Sequence, residues 1–288
     1  LHMDQDGSDI EVSLDEGEIE GDGRRSALSE VELELKTGVP ASLFALAEDL
    51  FGEAPLKLSF VSKAERGYAL VDGGARPRKL KSAPLKRKTQ AGEAFKRISR
   101  LCLIQLAANE RILRGVAAPE AIHQLRIALR RLRSAMSTFT RVTADDGHAL
   151  LKTELEWLAG ELDDARNLDV FAREGFLPTA GEGPPDSGMA AFGELILEAK
   201  SEAYERAIRA VEGDRCRRLL LGAARWIEAG EWTTSQEPLF KLPREMRVSR
   251  LARAALSRRL KAVRKRGSAL DADDPPARHR LRIRVKKL

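Results

Sequence analysis

A histidine followed by arginines at helical spacing forms the first candidate binding surface in the sequence. Residues 121–136 read AIHQLRIALRRLRSAM. On a helix that turns about 100° per residue, three arginines fall within roughly 80° of His123, namely Arg126, Arg130 and Arg133. Arginine binds phosphate through a fixed fork of N–H donors, and histidine donates a further hydrogen bond and gains charge beside an anion. The stripe therefore favours a ligand that carries several phosphates in a row.

A related segment, ARHRLRIRVKKL, spans residues 277–288. Counted from His279, the matching basic stripe holds Arg282 and Lys286, and the apolar sector holds Leu281, Val285 and Leu288. A basic amphipathic stretch precedes each segment. Its basic residues are Lys96, Arg97 and Arg100 before the first segment, and Arg247, Arg250 and Arg253 before the second. This recurrence predicts an internal duplication.

An ordinary solvated helix face is the alternative interpretation of such a stripe. However, no Asp or Glu lies between His123 and Arg141, so ion pairs within the helix cannot neutralise the arginines. A positive surface left uncompensated at two related places is costly by self-repulsion. An anionic ligand explains it better.

Acidic side chains near the start of the chain form a second candidate site. Glu30, Glu32 and Glu34 alternate along a predicted strand, which places their carboxylates on one face about 7 Å apart. Asp15 lies on a preceding strand that could pair nearby. Crowded carboxylate oxygens suit Mg²⁺ or Mn²⁺. A solvated acidic strand is the alternative, and the pattern alone favours it.

The N-terminal elements that would position these residues are short. Alternation predicts strands at Ile10–Leu14 and Glu30–Lys36. Pro40 and Ala41 then begin a predicted helix that extends to about Phe51, and Lys57–Val61 is a further predicted strand. Residues 72–93 are rich in Gly, Pro, Lys and Arg without an apolar period, which indicates a basic linker. The sequence thus begins with a small α+β module.

Apolar residues recur at spacings of three and four after the linker. They predict helices at 94–114, 120–141, 147–172, 189–211, 214–230 and 246–266. The segments between them are GVAAP, GFLPTAGEGPPDSG and SALDADDPP. Since long helices joined by short loops are typical of bundles, we expect a mainly α protein built on an antiparallel helical bundle.

Charge and cysteine content restrict the classes of function. The chain of 288 residues has a net charge of +6, but residues 1–60 hold 15 acidic and 4 basic residues, whereas residues 240–288 hold 4 and 17. Such asymmetry predicts two modules of different chemistry. Cys102 and Cys216 have no disulfide or metal-ligand spacing, and neither a signal peptide nor an apolar run of membrane-spanning length is present. We therefore expect a cytoplasmic protein without a membrane partner.

The basic segments carry a family resemblance. HQLRIALRRLR and HRLRIRVKKL resemble the two signature elements of CHAD domains, the conserved-histidine α-helical domains, and LAGELDDARNLDVF is similar to the family's third element, with Asn167 where aspartate is usual. The resemblance covers residues 94–288 and ends inside the second signature element. It implies two pseudo-symmetric four-helix bundles, the second one truncated here, with basic helices lining a groove for inorganic polyphosphate. By position the implied ligands are His123, Arg126, Arg130, Arg133, His279, Arg282 and Lys286, and we expect Lys96, Arg97, Arg100, Arg250 and Arg253 to contribute.

The acidic module carries a second resemblance. IEVSLDEGEIEG, SEVELELKTG and SKAERGYAL, within residues 4–71, resemble the C-terminal half of a CYTH domain, the triphosphate tunnel fold. That implies a partial tunnel that binds Mg²⁺ or Mn²⁺ through Asp15, Glu30, Glu32 and Glu34, and phosphate through Lys63 and Arg66. The family's opening Glu-x-Glu-x-Lys strand does not precede Asp4, so we expect no hydrolysis by this chain.

Three functions follow from these patterns. The first is binding of inorganic polyphosphate, without a cofactor, by a cytoplasmic protein associated with polyphosphate granules. The second is a metal-dependent inorganic triphosphatase, if the missing strands precede this segment in the parent protein. Nucleic-acid binding ranks third, because the basic stripes hold almost no aromatic or amide side chains for stacking or base recognition. Unpaired strands and an unfinished bundle also favour self-association.

Overall fold

The structure is a computed structural model that describes residues 1–79, 81–114, 117–176, 187–270 and 274–286. Within this part the chain begins with a three-stranded antiparallel sheet in the order β1 (His2–Gln5), β2 (Ser8–Gly21) and β3 (Arg24–Thr37). Both connections are two-residue Asp-Gly turns with positive φ at each position. This is the type I′ pattern, whose twist matches that of the paired strands.

Two helices cover the sheet, α1 (Pro40–Glu53) and α2 (Lys63–Val71). α2 begins at a capping box in which the side chains of Ser62 and Glu65 each accept a hydrogen bond from the other's backbone N–H. The prediction of α1 is confirmed, whereas the predicted strand at 57–61 is wrong, since residues 54–62 form neither helix nor strand. The reason is packing: Lys57 pairs with Glu110 at 3.4 Å, and Leu58 packs on the helical core.

From Ala91 onward the described chain is largely helical, as the apolar spacing predicted, although no helix was predicted at Pro238–Glu245. The longer helices are α3 (Ala91–Leu113), α4 (Pro119–Thr138), α6 (Asp146–Glu161), α7 (Asp163–Phe171), α8 (Ser187–Glu212), α9 (Asp214–Ala229), α11 (Pro238–Glu245), α12 (Val248–Ser268) and α13 (Pro275–Lys286). Short helices lie between them, α5 (Thr140–Thr143) and α10 (Glu231–Thr234), and one π-helical turn (Ala172–Phe176) follows α7. Parts of the predicted loops, at 115–116, 177–186 and 271–273, lie outside the described residues.

Two helices that were predicted as continuous are divided. The predicted 120–141 helix is interrupted at Phe139, and the predicted 147–172 helix is interrupted at Leu162. α6 begins where it does because the Asp145 carboxylate accepts a hydrogen bond from the His148 N–H at 3.0 Å. A local cap of this kind sets a helix start that apolar spacing alone does not reveal.

The core lies between α3, α4 and α9. Phe95 packs edge-on against both Trp226 and Trp232, with ring centroids 5.6 and 5.4 Å apart. The apolar side chains along one face of α4, together with the residue that follows its last turn, are buried: Ile122, Leu125, Leu129, Leu132, Met136 and Phe139. The opposite side of α4 is therefore fixed toward solvent, and it is the side that carries the basic stripe.

The sheet and its helices are attached to the helical part by several contacts. Arg217 on α9 donates to the carbonyl oxygens of Ala54 and Leu56, at 2.7 and 3.2 Å. The predicted linker is held as well, because the Ala91 N–H donates to Met246 O at 2.7 Å and the Val248 N–H donates to Thr89 O at 2.8 Å. The described residues 72–79 and 81–90 thus run along the helices.

α13, which carries the second signature segment, packs against α12. The prediction that Val285 lies in a buried sector is wrong: this side chain is 51% exposed, and no described residue of α13 is buried. The physical reason is that packing on a single neighbouring helix covers little of the surface of so short a helix. Leu288, assigned to the same sector, lies outside the described residues. None of the described helices is long and apolar enough to cross a membrane.

Candidate functional site

The basic stripe of α4 is completed by a neighbouring helix. α7 packs on α4, and the positive charge of its Arg166 lowers the pKa of His123, as do Arg130 and Arg173. Desolvation is the largest cause of the lowered pKa, and Glu120 opposes it. Four cationic or titratable groups therefore converge, and we call His123, Arg130, Arg166 and Arg173 the His123 cluster.

The side chains at the centre of the His123 cluster make no ion pair within the described residues, although the charge of Glu120 acts on His123. Among the described residues, the side chains of His123, Arg130 and Arg166 make neither a hydrogen bond nor an ion pair, while Arg173 pairs with its neighbour Glu174 at 2.5 Å. Like charges held together without counter-charge raise the local positive potential and attract anions. The positive charge of this cluster therefore favours the approach of an anion.

The charges of the arginines at the two flanks of the stripe are compensated by carboxylates. The sequence analysis had inferred that the stripe lacks acidic partners. Arg126 pairs with Asp163 of α7, and Arg133 pairs with Glu156 of α6 at 3.0 Å. The inference holds within α4 itself, but it is wrong for the folded protein because the acidic partners come from other helices. Both carboxylates are about half exposed, at 50% and 47%, and such surface pairs are weak.

The segment ARNLDV positions Arg166 through a buried carboxylate. Asp169 is 8% exposed, accepts a hydrogen bond from the Tyr204 hydroxyl at 2.7 Å and pairs with Lys200 at 2.8 Å. These contacts fix α7 against α8 and hold Arg166, one turn earlier, toward His123. The sequence analysis identified this motif but did not assign Arg166 to the binding site. The position of this arginine, close after the acidic start of a helix, was the feature that could have indicated it.

The basic residues of α3 serve a different contact. Arg100 binds both carboxylate oxygens of Glu228, and the Lys96 ammonium donates to the backbone oxygen of the same residue at 2.9 Å. Burial lowers the pKa of Lys96, and the Glu228 carboxylate opposes this. Arg97 pairs with Glu93 one turn away at 2.6 Å. The structure therefore brings these three residues to acidic partners on α3 and α9.

The predicted residues of the second half lie on α12 and α13. Arg250 and Arg253 border an open cleft of about 1150 Å³ together with Arg87, Lys88 and Arg247, and Glu245 is the acidic residue among the lining side chains. His279, Arg282 and Lys286 are exposed on α13. No described contact joins them to the His123 cluster.

The acidic residues of the sheet meet around an ammonium group. Asp15 lies directly opposite Glu30 in the register of β2 and β3, and oxygens of Asp15, Glu30 and Glu32 lie within 4.8 Å of one another. The Lys63 Nζ lies 2.6, 3.2 and 3.1 Å from these three carboxylates, and these bonds raise the pKa of Lys63. Arg66 pairs with Glu30 as well.

The donor set suits a hard divalent cation, with the ammonium as its competitor. Three carboxylates at this spacing would hold Mg²⁺ or Mn²⁺, but the ion would displace Lys63 from them. Glu34 belongs to a separate pair with Lys36 at 3.0 Å, and Lys36 also pairs with Glu11. Of the four carboxylates that the sequence analysis assigned to one metal group, the structure brings three together and leaves Glu34 apart. Lys63 and Arg66, predicted as phosphate ligands, pair with these carboxylates.

Fold and site together define a mainly helical protein with a histidine–arginine cluster on one helix pair and a small acidic sheet module before it. A family model for the CHAD domain matches residues 97–288. The chain belongs to the CHAD domain family. Its fold is similar to the crystal structure of the CHAD domain from the plant Ricinus communis, with a TM-score of 0.62 and 26% identity over 74% of this chain and 68% of that one.

A shorter match links the chain to a curated protein. It is 43% identical over 63 residues to an inorganic triphosphatase of Haemophilus influenzae. The match spans 22% of this chain and 18% of the length of that protein.

Proposed function

We propose that this chain binds inorganic polyphosphate at the His123 cluster. The observation that carries the proposal is that His123, Arg130 and Arg166 act on one another from two helices, and that none of the three side chains makes a hydrogen bond or ion pair with a described residue. A row of phosphates supplies one negative charge after another, and arginine forks bind such groups in pairs of hydrogen bonds.

The flanking ion pairs extend the surface at small cost. From His123 to Arg133 the helix rises roughly 15 Å, which is long enough for a linear ligand to cross several cations. Arg126 and Arg133 would exchange their half-exposed carboxylates for phosphate, and pairs of that kind contribute only about 0–1 kcal/mol. The ligand gains two further forks in return.

The test is a titration with long-chain polyphosphate at two salt concentrations. Arg130→Glu and Arg166→Glu should each weaken binding at least about tenfold, because each places a repelling charge in the cluster. Arg209→Glu is the matched control, since Arg209 is an exposed helical arginine on α8 paired only with Glu205 of its own helix among the described contacts. Equal affinity of all three variants would contradict the proposal.

The residues of the second half are part of the same proposal. We include His279, Arg282, Lys286, Arg250 and Arg253 as ligands of a longer chain, which the internal duplication would place on a second basic surface. The test compares ligands of two lengths: Arg250→Glu/Arg253→Glu should weaken long-chain polyphosphate and leave tripolyphosphate unchanged. Loss of both ligands alike would contradict a separate second surface. Competition with duplex DNA distinguishes polyphosphate from nucleic acid as the preferred polyanion.

A triphosphatase is the second candidate, supported by the short match to an inorganic triphosphatase and by the carboxylates around Lys63. Such an activity would belong to a parent protein with a complete tunnel. There Asp15, Glu30 and Glu32 would hold the divalent cation, which supplies charge neutralisation for the phosphates. Lys63→Met removes the competing ammonium, so Mn²⁺ binding followed by calorimetry should tighten, and Glu32→Gln should weaken it. No change in either variant would contradict a metal role.

A further inference from the structure

A second cleft, of about 730 Å³, lies between α2, residues 72–79 and α3. Its floor is a row of apolar side chains on α3 that recur at helical spacing, and the last of them also packs against the core: Leu101, Ile104, Ala108 and Ile112. They are only partly buried, so this helix exposes a second apolar stripe beside the one that packs on α4. An apolar floor of this size is typical of a small-molecule site.

The wall of the cleft is fixed in place. The backbone N–H of Arg78 donates to Asn109 Oδ1 at 3.1 Å, and its carbonyl oxygen accepts from Asn109 Nδ2 at 2.9 Å. Asn109 is fully buried, and Arg78 also pairs with Glu65 of α2 at 3.6 Å. The segment is thereby tied to both helices, and the cleft between them is preformed.

The rim of the cleft is positively charged. Six basic side chains border it, against the two acidic ones Glu65 and Asp72; they are Arg66, Arg76, Arg78, Lys79, Lys81 and Arg111. Arg111 makes no hydrogen bond or ion pair within the described residues. Its pKa is lowered by partial desolvation and then by the charges of Arg66 and Arg114. An anion at this rim would relieve that repulsion.

One further feature indicates an organic ligand instead of a bare phosphate. Tyr68, at the edge of the cleft, presents a ring that is 73% exposed. An exposed aromatic ring favours a ligand with a flat ring that stacks on it.

We propose that this cleft binds an organic anion of nucleotide size, with an apolar ring against α3 and phosphate groups at Arg111. A bare phosphate chain would leave the apolar floor in water, and an uncharged apolar ligand would leave the rim unpaired. The cleft shares no residue with the His123 cluster, so this proposal stands apart from the polyphosphate proposal.

The experiment is a calorimetric titration of the full chain with ATP and with tripolyphosphate, without added metal. Arg111→Glu repels the phosphates, and Ala108→Trp fills the floor. Each should weaken ATP binding at least about tenfold, while Arg130→Glu should leave it within about twofold. Tripolyphosphate should show the opposite dependence. Unchanged melting temperature and unchanged polyphosphate binding verify that the cleft variants are folded.

Three results would overturn the proposal: no binding of ATP, ATP binding that survives Arg111→Glu, or ATP binding that is lost only in Arg130→Glu. The last would show that the His123 cluster binds the phosphates of ATP and that its ring makes no contribution. If Ala108→Trp does not fold, Arg111→Glu alone still tests whether the cleft binds ATP. Arg111 is exposed, and its replacement removes no described side-chain contact.

Discussion

Partial burial and then the positive charge of Arg166 on α7 lower the pKa of His123 on α4, although the two residues belong to different sequence motifs. The histidine is therefore poised to remain neutral when the surface is empty. An anion placed between the two side chains would reverse the effect, since it would stabilise the charged imidazole. Ligand binding and proton uptake at this site are expected to be coupled.

The coupling predicts a pH dependence of polyphosphate affinity. In the free protein the pKa of His123 lies below its ordinary value of 6.5, and bound phosphates would raise it. Binding therefore takes up a proton, and affinity should increase about fivefold as the pH falls from about 8 to about 5.5. Calorimetry across this range measures it. In His123→Gln the affinity should be much less dependent on pH, and an unaltered dependence would assign the titration to another group.

The lowered pKa of His123 also makes the stability of the unliganded protein depend on pH. Affinity should increase as the pH falls, whereas stability should decrease. Because the unfolded chain takes up the proton more readily than the folded one, His123 decreases the free energy of unfolding as the pH falls through 6.5. Polyphosphate should remove this loss. Urea unfolding at the two ends of the pH range, with and without the ligand, tests the sign, and His123→Gln serves as the reference.

The salt dependence of polyphosphate affinity should indicate how many basic side chains contact the ligand. Each phosphate contact that is lost should reduce the slope of log affinity against log salt by about 0.7–0.9. Arg130→Ala and Arg166→Ala should each show this reduction. Lys36→Ala, whose ammonium pairs with Glu11 and Glu34 on the sheet, should leave the slope unchanged. A reduction in the Lys36 variant would mean that the whole charge of the protein attracts the ligand.

The apolar face of α4 was predictable because helical periodicity is local: Leu125, Leu129 and Leu132 follow from the spacing of a few neighbouring letters. The register that sets Asp15 against Glu30 was also accessible, since a tight turn joins the two strands. Such features depend on short stretches of chain.

The partners of the basic stripe were not accessible in this way. Asp163 and Glu156 lie 37 and 23 residues from the arginines they neutralise, on helices whose relative placement no local pattern encodes. The predicted strand at 57–61 was wrong for a related reason. A strand requires a neighbouring strand to pair with, whereas Lys57 pairs with Glu110 of α3. Tertiary placement decided both outcomes.

Two tyrosines, one buried and one exposed, allow a matched test of the hydrogen bond between Tyr204 and Asp169, which helps to position Arg166. Tyr204 is buried, and its hydroxyl donates to Asp169; burial and then this carboxylate raise its pKa. Tyr204→Phe leaves Asp169 with one fewer hydrogen bond and should lower the free energy of unfolding by about 1–3 kcal/mol. Tyr68→Phe alters an exposed ring and should change it by less than about 0.5 kcal/mol. Urea denaturation distinguishes the two, and equal effects would contradict a specific role for the hydroxyl.

Asp145 joins a helix cap to the aromatic core, so its loss should be more costly than that of an ordinary capping residue. Its carboxylate accepts from the backbone of His148 at 3.0 Å, from Trp226 Nε1 at 2.7 Å and from the Trp232 N–H at 3.3 Å. An N-cap alone contributes about 0.5–2 kcal/mol, and two further donors would lose their acceptor. Asp145→Ala should therefore destabilise the protein by about 2–4 kcal/mol in urea unfolding.

Asp146→Ala is the matched control: this exposed neighbour contributes only its charge at the helix start, worth about 0.3–1 kcal/mol. Similar losses in both variants would show that the tryptophan contacts add nothing to the cap.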